Sequence, residues 1–91
     1  MRRSLLLKPF FASSMPTLKI IDGTKIDVYS REHPPPHFHA INAEDEELIV
    51  IETIETYVGE LPSRKRRKVV EWASENQDFL MENFKRLNPN L

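Results

Sequence analysis

The sequence predicts an α+β domain in which a small antiparallel sheet of four to five strands packs against one long C-terminal helix. Three observations predict it. Lys25-Ile26-Asp27-Val28-Tyr29 alternates polar and apolar residues directly after an Asp22-Gly23 pair. Leu48-Ile49-Val50-Ile51 is a continuous apolar, mostly β-branched run. From Ser63 to Leu87 the apolar residues recur at helical spacing. Alternation is the signature of a half-buried strand, and a recurrence near 3.6 residues is that of an amphipathic helix.

Thr17–Ile21 is short and apolar-rich, and Asp-Gly between two such runs is the strongest short hairpin signal. The first two strands are therefore expected to form a hairpin with Ile26 and Val28 facing the core. His33-Pro34-Pro35-Pro36-His37 follows. Prolines donate no ladder hydrogen bonds, so this stretch is expected as an extended, polyproline-like loop. Phe38–Ala43 reads as the next strand and Glu44-Asp45-Glu46-Glu47 as an acidic turn. Leu48–Ile51 is the best candidate for a central strand. Thr56–Val58 is expected as a short edge strand, after which Gly59 and Pro62 punctuate the chain.

Ser63 is expected to cap the helix. At 100° per residue, Val69, Ala73, Leu80, Phe84 and Leu87 fall on one face, with Trp72 and Phe79 on its flank and Asn76 near its middle. Asn88-Pro89 is expected to end it. The edge of that stripe offers a surface on which a dimer can form.

Composition bounds the function. Ninety-one residues allow a single domain, expected over 15–91. With no cysteine there is no disulfide framework, thiolate nucleophile or Cys-ligated zinc. Two glycines cannot build a nucleotide-binding glycine loop, and no apolar run is long enough to span a membrane. Residues 1–14 are expected to form a flexible extension. Their apolar run, Leu5–Leu7, is cut short by Lys8 and Pro9, too soon for a secretory signal. Met15 is a possible natural start, and the alternative is an arm that docks through Leu6, Phe10 and Phe11. These readings make the cytoplasm the expected compartment.

The net charge of −1 hides an asymmetry: residues 15–62 carry ten acidic and three basic side chains, and residues 63–91 seven basic and four acidic. Arg64-Lys65-Arg66-Arg67-Lys68 falls on the first turns of the expected helix, the end where the macrodipole disfavours cations. Local stability does not explain the block, whereas an acidic protein partner or the backbone of a nucleic acid would. The chain's own Glu44–Glu47 can also neutralise it.

All three histidines, His33, His37 and His39, lie within seven residues. At i,i+2 in a strand, His37 and His39 project from one face with Cα atoms ~7 Å apart. That spacing suits two ligands of one divalent metal, zinc or nickel among others, with Glu32, His33 or Glu47 as a third. It also suits acid–base catalysis by His37 and His39 in a small ribonuclease or metal-dependent phosphodiesterase, with Arg31 as the nearest cation. A non-catalytic metal-binding module and a purely structural role of the imidazoles are the remaining readings.

Met15-Pro16-Thr17, Glu32-His33-Pro34-Pro35-Pro36-His37-Phe38-His39-Ala40, Gly59-Glu60-Leu61-Pro62 and Val69-Val70-Glu71-Trp72-Ala73 together resemble the bacterial family called domain of unknown function 4160. The resemblance runs from residue 15 to about residue 87. Phe84 stands where members often carry tryptophan, and Arg31 and Glu32 where they often carry acidic or amide residues. The resemblance implies a component of a toxin–antitoxin-like module, with a small protein partner encoded nearby, and no assigned biochemistry.

Overall fold

A computed structural model describes residues 17–91 of the chain. The expectations for the N-terminal extension and its docking lie outside the described residues. Five strands and two helices follow in the order β1 (Thr17–Ile21), β2 (Thr24–Asp27), β3 (His37–Asn42), β4 (Asp45–Val50), β5 (Thr56–Gly59), α1 (Ser63–Ser74) and α2 (Gln77–Leu87). The sheet is an antiparallel meander in which each strand pairs with the next, so β1 and β5 form its two edges. The fold is α+β.

Asp22 and Gly23 carry φ of 49° and 85°. Positive φ at both central residues gives the turn the twist that a two-residue hairpin needs. Ile26 and Val28 are fully buried, as their alternation predicts. They join Phe38, Ala40, Ile49 and Ile51 from the sheet, Leu61 from the loop, and Val69, Ala73, Leu80 and Phe84 from the helices in one core.

Three expectations need correction. The acidic segment is not the turn: Ala43, at φ 56°, turns the chain with Glu44, and Asp45–Glu47 already belong to β4. Glu47 can enter a strand facing inward because Arg66 neutralises it there. Ser63 is not the cap either; Pro62 holds that position and Ser63 is the first helical residue. Finally, the helix is two helices. Ser74 Oγ and Asn76 Nδ2 each donate 2.8 Å bonds to the carbonyls four residues back, and the Glu75 and Asn76 amides close tight turns onto Trp72 and Ala73. Such side-chain bonds compete with the regular ladder. Gln77 then reaches across to the Ile51 carbonyl at 2.8 Å. The joint is short, so the apolar stripe keeps its direction across it.

Candidate functional site

Strand alternation puts Phe38 and Ala40 in the core and turns His37 and His39 to the other face of β3. The segment between β2 and β3 brings Glu32 back over them. Asn88, at the end of α2 and only 6% exposed, fixes that segment. Its Oδ1 accepts the Glu32 amide at 2.8 Å, while its Nδ2 donates to the carbonyls of Tyr29 at 2.9 Å and Phe84 at 3.0 Å. The Pro34–Pro35 peptide in the loop is cis.

Glu32 Oε1 lies 2.9 Å from His37 Nε2 and 2.5 Å from His39 Nε2. The outer nitrogen of each ring is held by an oxygen. His37 Nδ1 donates to the Pro35 carbonyl at 2.7 Å, and His39 Nδ1 lies 2.7 Å from Glu46 Oε2. A carbonyl only accepts, so the Nδ1 proton of His37 is fixed. The Nε2 lone pair of neutral His37 then faces the same carboxylate oxygen as His39 Nε2, an arrangement that is favourable only with a cation, proton or metal, between His37 and that oxygen. One ligand atom from each of Glu32, His37 and His39 lies within 4.8 Å of the others.

The neighbourhood is anionic. Asp27 is buried beneath His39, its partner across the β2–β3 ladder, and is hydrogen-bonded by the hydroxyls of Thr17 and Tyr29 at 2.8 Å. The edge of the Tyr29 ring packs on His39 with centroids 4.5 Å apart. Burial, then Asp27 and more weakly Glu46 and Glu32, push the Tyr29 phenol far above its ordinary range. Among the described residues no lysine or arginine forms an ion pair with Asp27, Glu32 or Glu46. Burial pushes the Glu32 carboxyl up, but the bonds and charge of His39, and then of His37, hold it below the ordinary glutamate value.

The other candidates are placed differently. His33 is exposed, with Nδ1 3.1 Å from the Pro34 carbonyl; its ring lies 5.7 Å from that of His37 and outside the three-residue cluster. Arg31 is exposed at φ 60°. Glu47 is on the opposite face, where it accepts from the Leu61 amide at 3.0 Å, the Thr56 hydroxyl and Arg66 Nε at 2.8 Å. The basic block is divided. Lys65 and Lys68 both bind Asp22, and Arg66 binds Glu47, while Arg64 and Arg67 are exposed and form no ion pair with a described residue. Of the acidic segment, Glu47 alone meets the block.

Sequence reasoning did not find Asn88, Glu46 or Asp27. Asp27 and Glu46 were accessible in principle, because the hairpin registers place them beside His39. Asn88 carries no local signal, being 56 residues from the amide it binds.

No curated protein and no solved structure matches the chain. A family model described as Domain of unknown function (DUF4160) matches residues 23–85. That span holds Glu32, His37, His39 and their partners Pro35 and Glu46, and over it the chain belongs to the domain of unknown function 4160 family.

Proposed function

We propose that this protein is a divalent-metal-binding domain whose centre is formed by Glu32, His37 and His39 and is built for metal-assisted hydrolysis. The observation that carries the reading is the directionality of the two imidazoles. Both Nε2 atoms converge on the Glu32 carboxylate, while both Nδ1 atoms are anchored, one by a carbonyl and one by a carboxylate. Histidines that ligate metals typically donate their second ring nitrogen to an oxygen in this way, which fixes tautomer and orientation. The surplus of carboxylates over lysines and arginines around His39 adds a demand for positive charge.

Two imidazoles and one carboxylate suit zinc, nickel or iron. Three protein ligands leave a position for water or substrate, as in hydrolytic zinc sites, whereas structural zinc sites are closed by four. Ligands bonded to one ion at about 2.1 Å sit roughly 3–3.5 Å apart, so Glu32 would draw back from the imidazoles and the two Nε2 atoms, now within 4.8 Å of each other, would adjust to admit it. A bound ion would lower the pKa of its water toward neutrality. Glu32, His37 and His39 would hold the ion, with His37 only 1% exposed and the edge of the Tyr29 ring packed on His39.

A toxin–antitoxin role gains nothing from the family's description, which assigns no activity. Among the described residues no helix is long and apolar enough to cross a membrane.

Isothermal titration of metal-stripped protein with zinc and nickel tests the reading. One equivalent should bind wild type, and His37→Ala and His39→Ala should each abolish it. Binding unchanged in both variants, or none in wild type, overturns the reading.

A further inference from the structure

We propose that the buried Asp27 carboxylate is a positioning residue for the metal centre: it ties down the Tyr29 phenol, and the Tyr29 ring in turn holds the His39 imidazole with Nε2 toward the ion. The inference rests on the metal-binding reading above and adds to it a support that the three ligands do not supply themselves.

The two imidazoles are not held alike. His37 is buried, its Nδ1 is pinned by the Pro35 carbonyl, and its ring packs against those of Phe84 and Tyr57 with centroids 5.8 Å away in each case. The His39 side chain is 12% exposed, and the group at its Nδ1, the Glu46 carboxylate, belongs to a side chain 47% exposed. A bond to so exposed a carboxylate is screened by water and salt, and it holds a ring weakly. A histidine free to turn about its Cβ–Cγ bond can offer either Nδ1 or Nε2 to a metal.

Asp27 and Tyr29 supply the firmer hold. Strand alternation sends Ile26 into the core and Asp27 to the face that carries the site. The ladder sets Asp27 between Thr17 on β1 and His39 on β3. Tyr29, two residues on, stays on that face. Its hydroxyl donates to Asp27 Oδ2 at 2.8 Å, and its ring meets that of His39 at 74° with centroids 4.5 Å apart. That is the edge-on geometry aromatic pairs prefer. A phenol tied at one end to a buried group keeps its ring in one place at the other.

Folding alone does not call for an acid at position 27. Asp27 is 1% exposed, and its two hydrogen-bond donors, the hydroxyls of Thr17 and Tyr29, are neutral. Among the described residues no lysine, arginine or histidine forms an ion pair with it. A buried charge without a counter-ion is costly, and a cation held by Glu32, His37 and His39 would supply the charge that Asp27 lacks.

Zinc calorimetry and the ring ¹⁵N spectrum of the histidines test the proposal on the full chain. In zinc-loaded wild type, His37 and His39 should each ligate through Nε2 alone. Tyr29→Phe keeps the ring and cuts its tie to Asp27. It should weaken zinc binding about tenfold and give His39, but not His37, a second ring signal from ligation through Nδ1. Asp27→Asn should weaken binding at least as much, because it removes the charge as well. Thr17→Val takes one neutral hydrogen bond from the same carboxylate but leaves Tyr29 tied, and it should keep the wild-type affinity. Circular dichroism checks that each variant is folded, and Tyr29→Phe alone decides the matter if Asp27→Asn is not. Undiminished affinity in Tyr29→Phe, equal losses in Tyr29→Phe and Thr17→Val, or a His39 signal that stays single while affinity falls would each overturn the proposal and leave the metal reading standing. Absence of zinc binding in wild type would overturn both.

Discussion

Replacing Asn88 with alanine removes three hydrogen bonds at once and strands two of the groups they served. The Glu32 amide loses its acceptor and the Tyr29 carbonyl loses a donor, at a residue only 6% exposed, while the Phe84 carbonyl keeps the backbone amide of residue 88. A net of about 1 kcal/mol per bond gives a loss of about 3 kcal/mol. For a domain of this size that lowers the thermal midpoint by roughly 15 °C. Asn88→Asp keeps the acceptor for the Glu32 amide and loses both donated bonds, so it should fall between alanine and wild type. Urea denaturation followed by the fluorescence of Trp72, the single tryptophan, measures both variants. Freeing the Glu32 backbone should also weaken zinc binding about tenfold under conditions where the variant is still folded. An alanine variant within about 0.5 kcal/mol of wild type, at an unchanged denaturant slope, would refute the claim that Asn88 clamps the site segment.

Saturating zinc should raise the thermal midpoint of wild type, since ligand at a hundredfold excess over Kd stabilises by about 2.7 kcal/mol; in the His37→Ala/His39→Ala double variant the midpoint should not respond. Gly59→Ala should cost about 3 kcal/mol in urea denaturation, because Gly59 sits at φ 86° and a Cβ there would come within 2.2 Å of the Glu46 carbonyl oxygen. For Glu47, burial pushes the carboxyl up, but the Thr56 hydroxyl, the Leu61 amide and Arg66 hold it below the ordinary 4.5. A carboxyl depressed on folding stabilises fully above its unfolded pKa, and this contribution is lost as pH falls through the folded value. Wild type should therefore lose stability below about pH 4.5, and Glu47→Gln, less stable at neutral pH, should show a flatter acid limb.

The parts of the fold that depend on local chemistry were legible in the sequence. Asp22-Gly23 specified its turn through backbone conformation alone. Ile26 and Val28, and the stripe from Val69 to Phe84, announced the core through period. The break at Glu75–Asn76 was hidden because the stripe keeps its direction across the joint, so periodicity sees one helix where hydrogen bonds define two. The strand start at Asp45 was hidden by charge. Four consecutive acids read as a turn until Arg66, far along the chain, is seen to neutralise Glu47. The site divides in the same way. The adjacency of His37 and His39 follows from strand geometry, whereas the position of Glu32 depends on Asn88, and the role of Glu46 depends on the register of the β3–β4 hairpin. Pairings of that kind are fixed by tertiary structure and leave no trace in spacing.

X-ray absorption at the zinc edge of the zinc-loaded protein tests the central claim most directly. The account predicts imidazole scattering from two histidines with oxygen completing the first shell, and loss of the imidazole signal in the His37→Ala/His39→Ala variant. A shell of oxygens alone, or an imidazole signal that survives the double substitution, would contradict it.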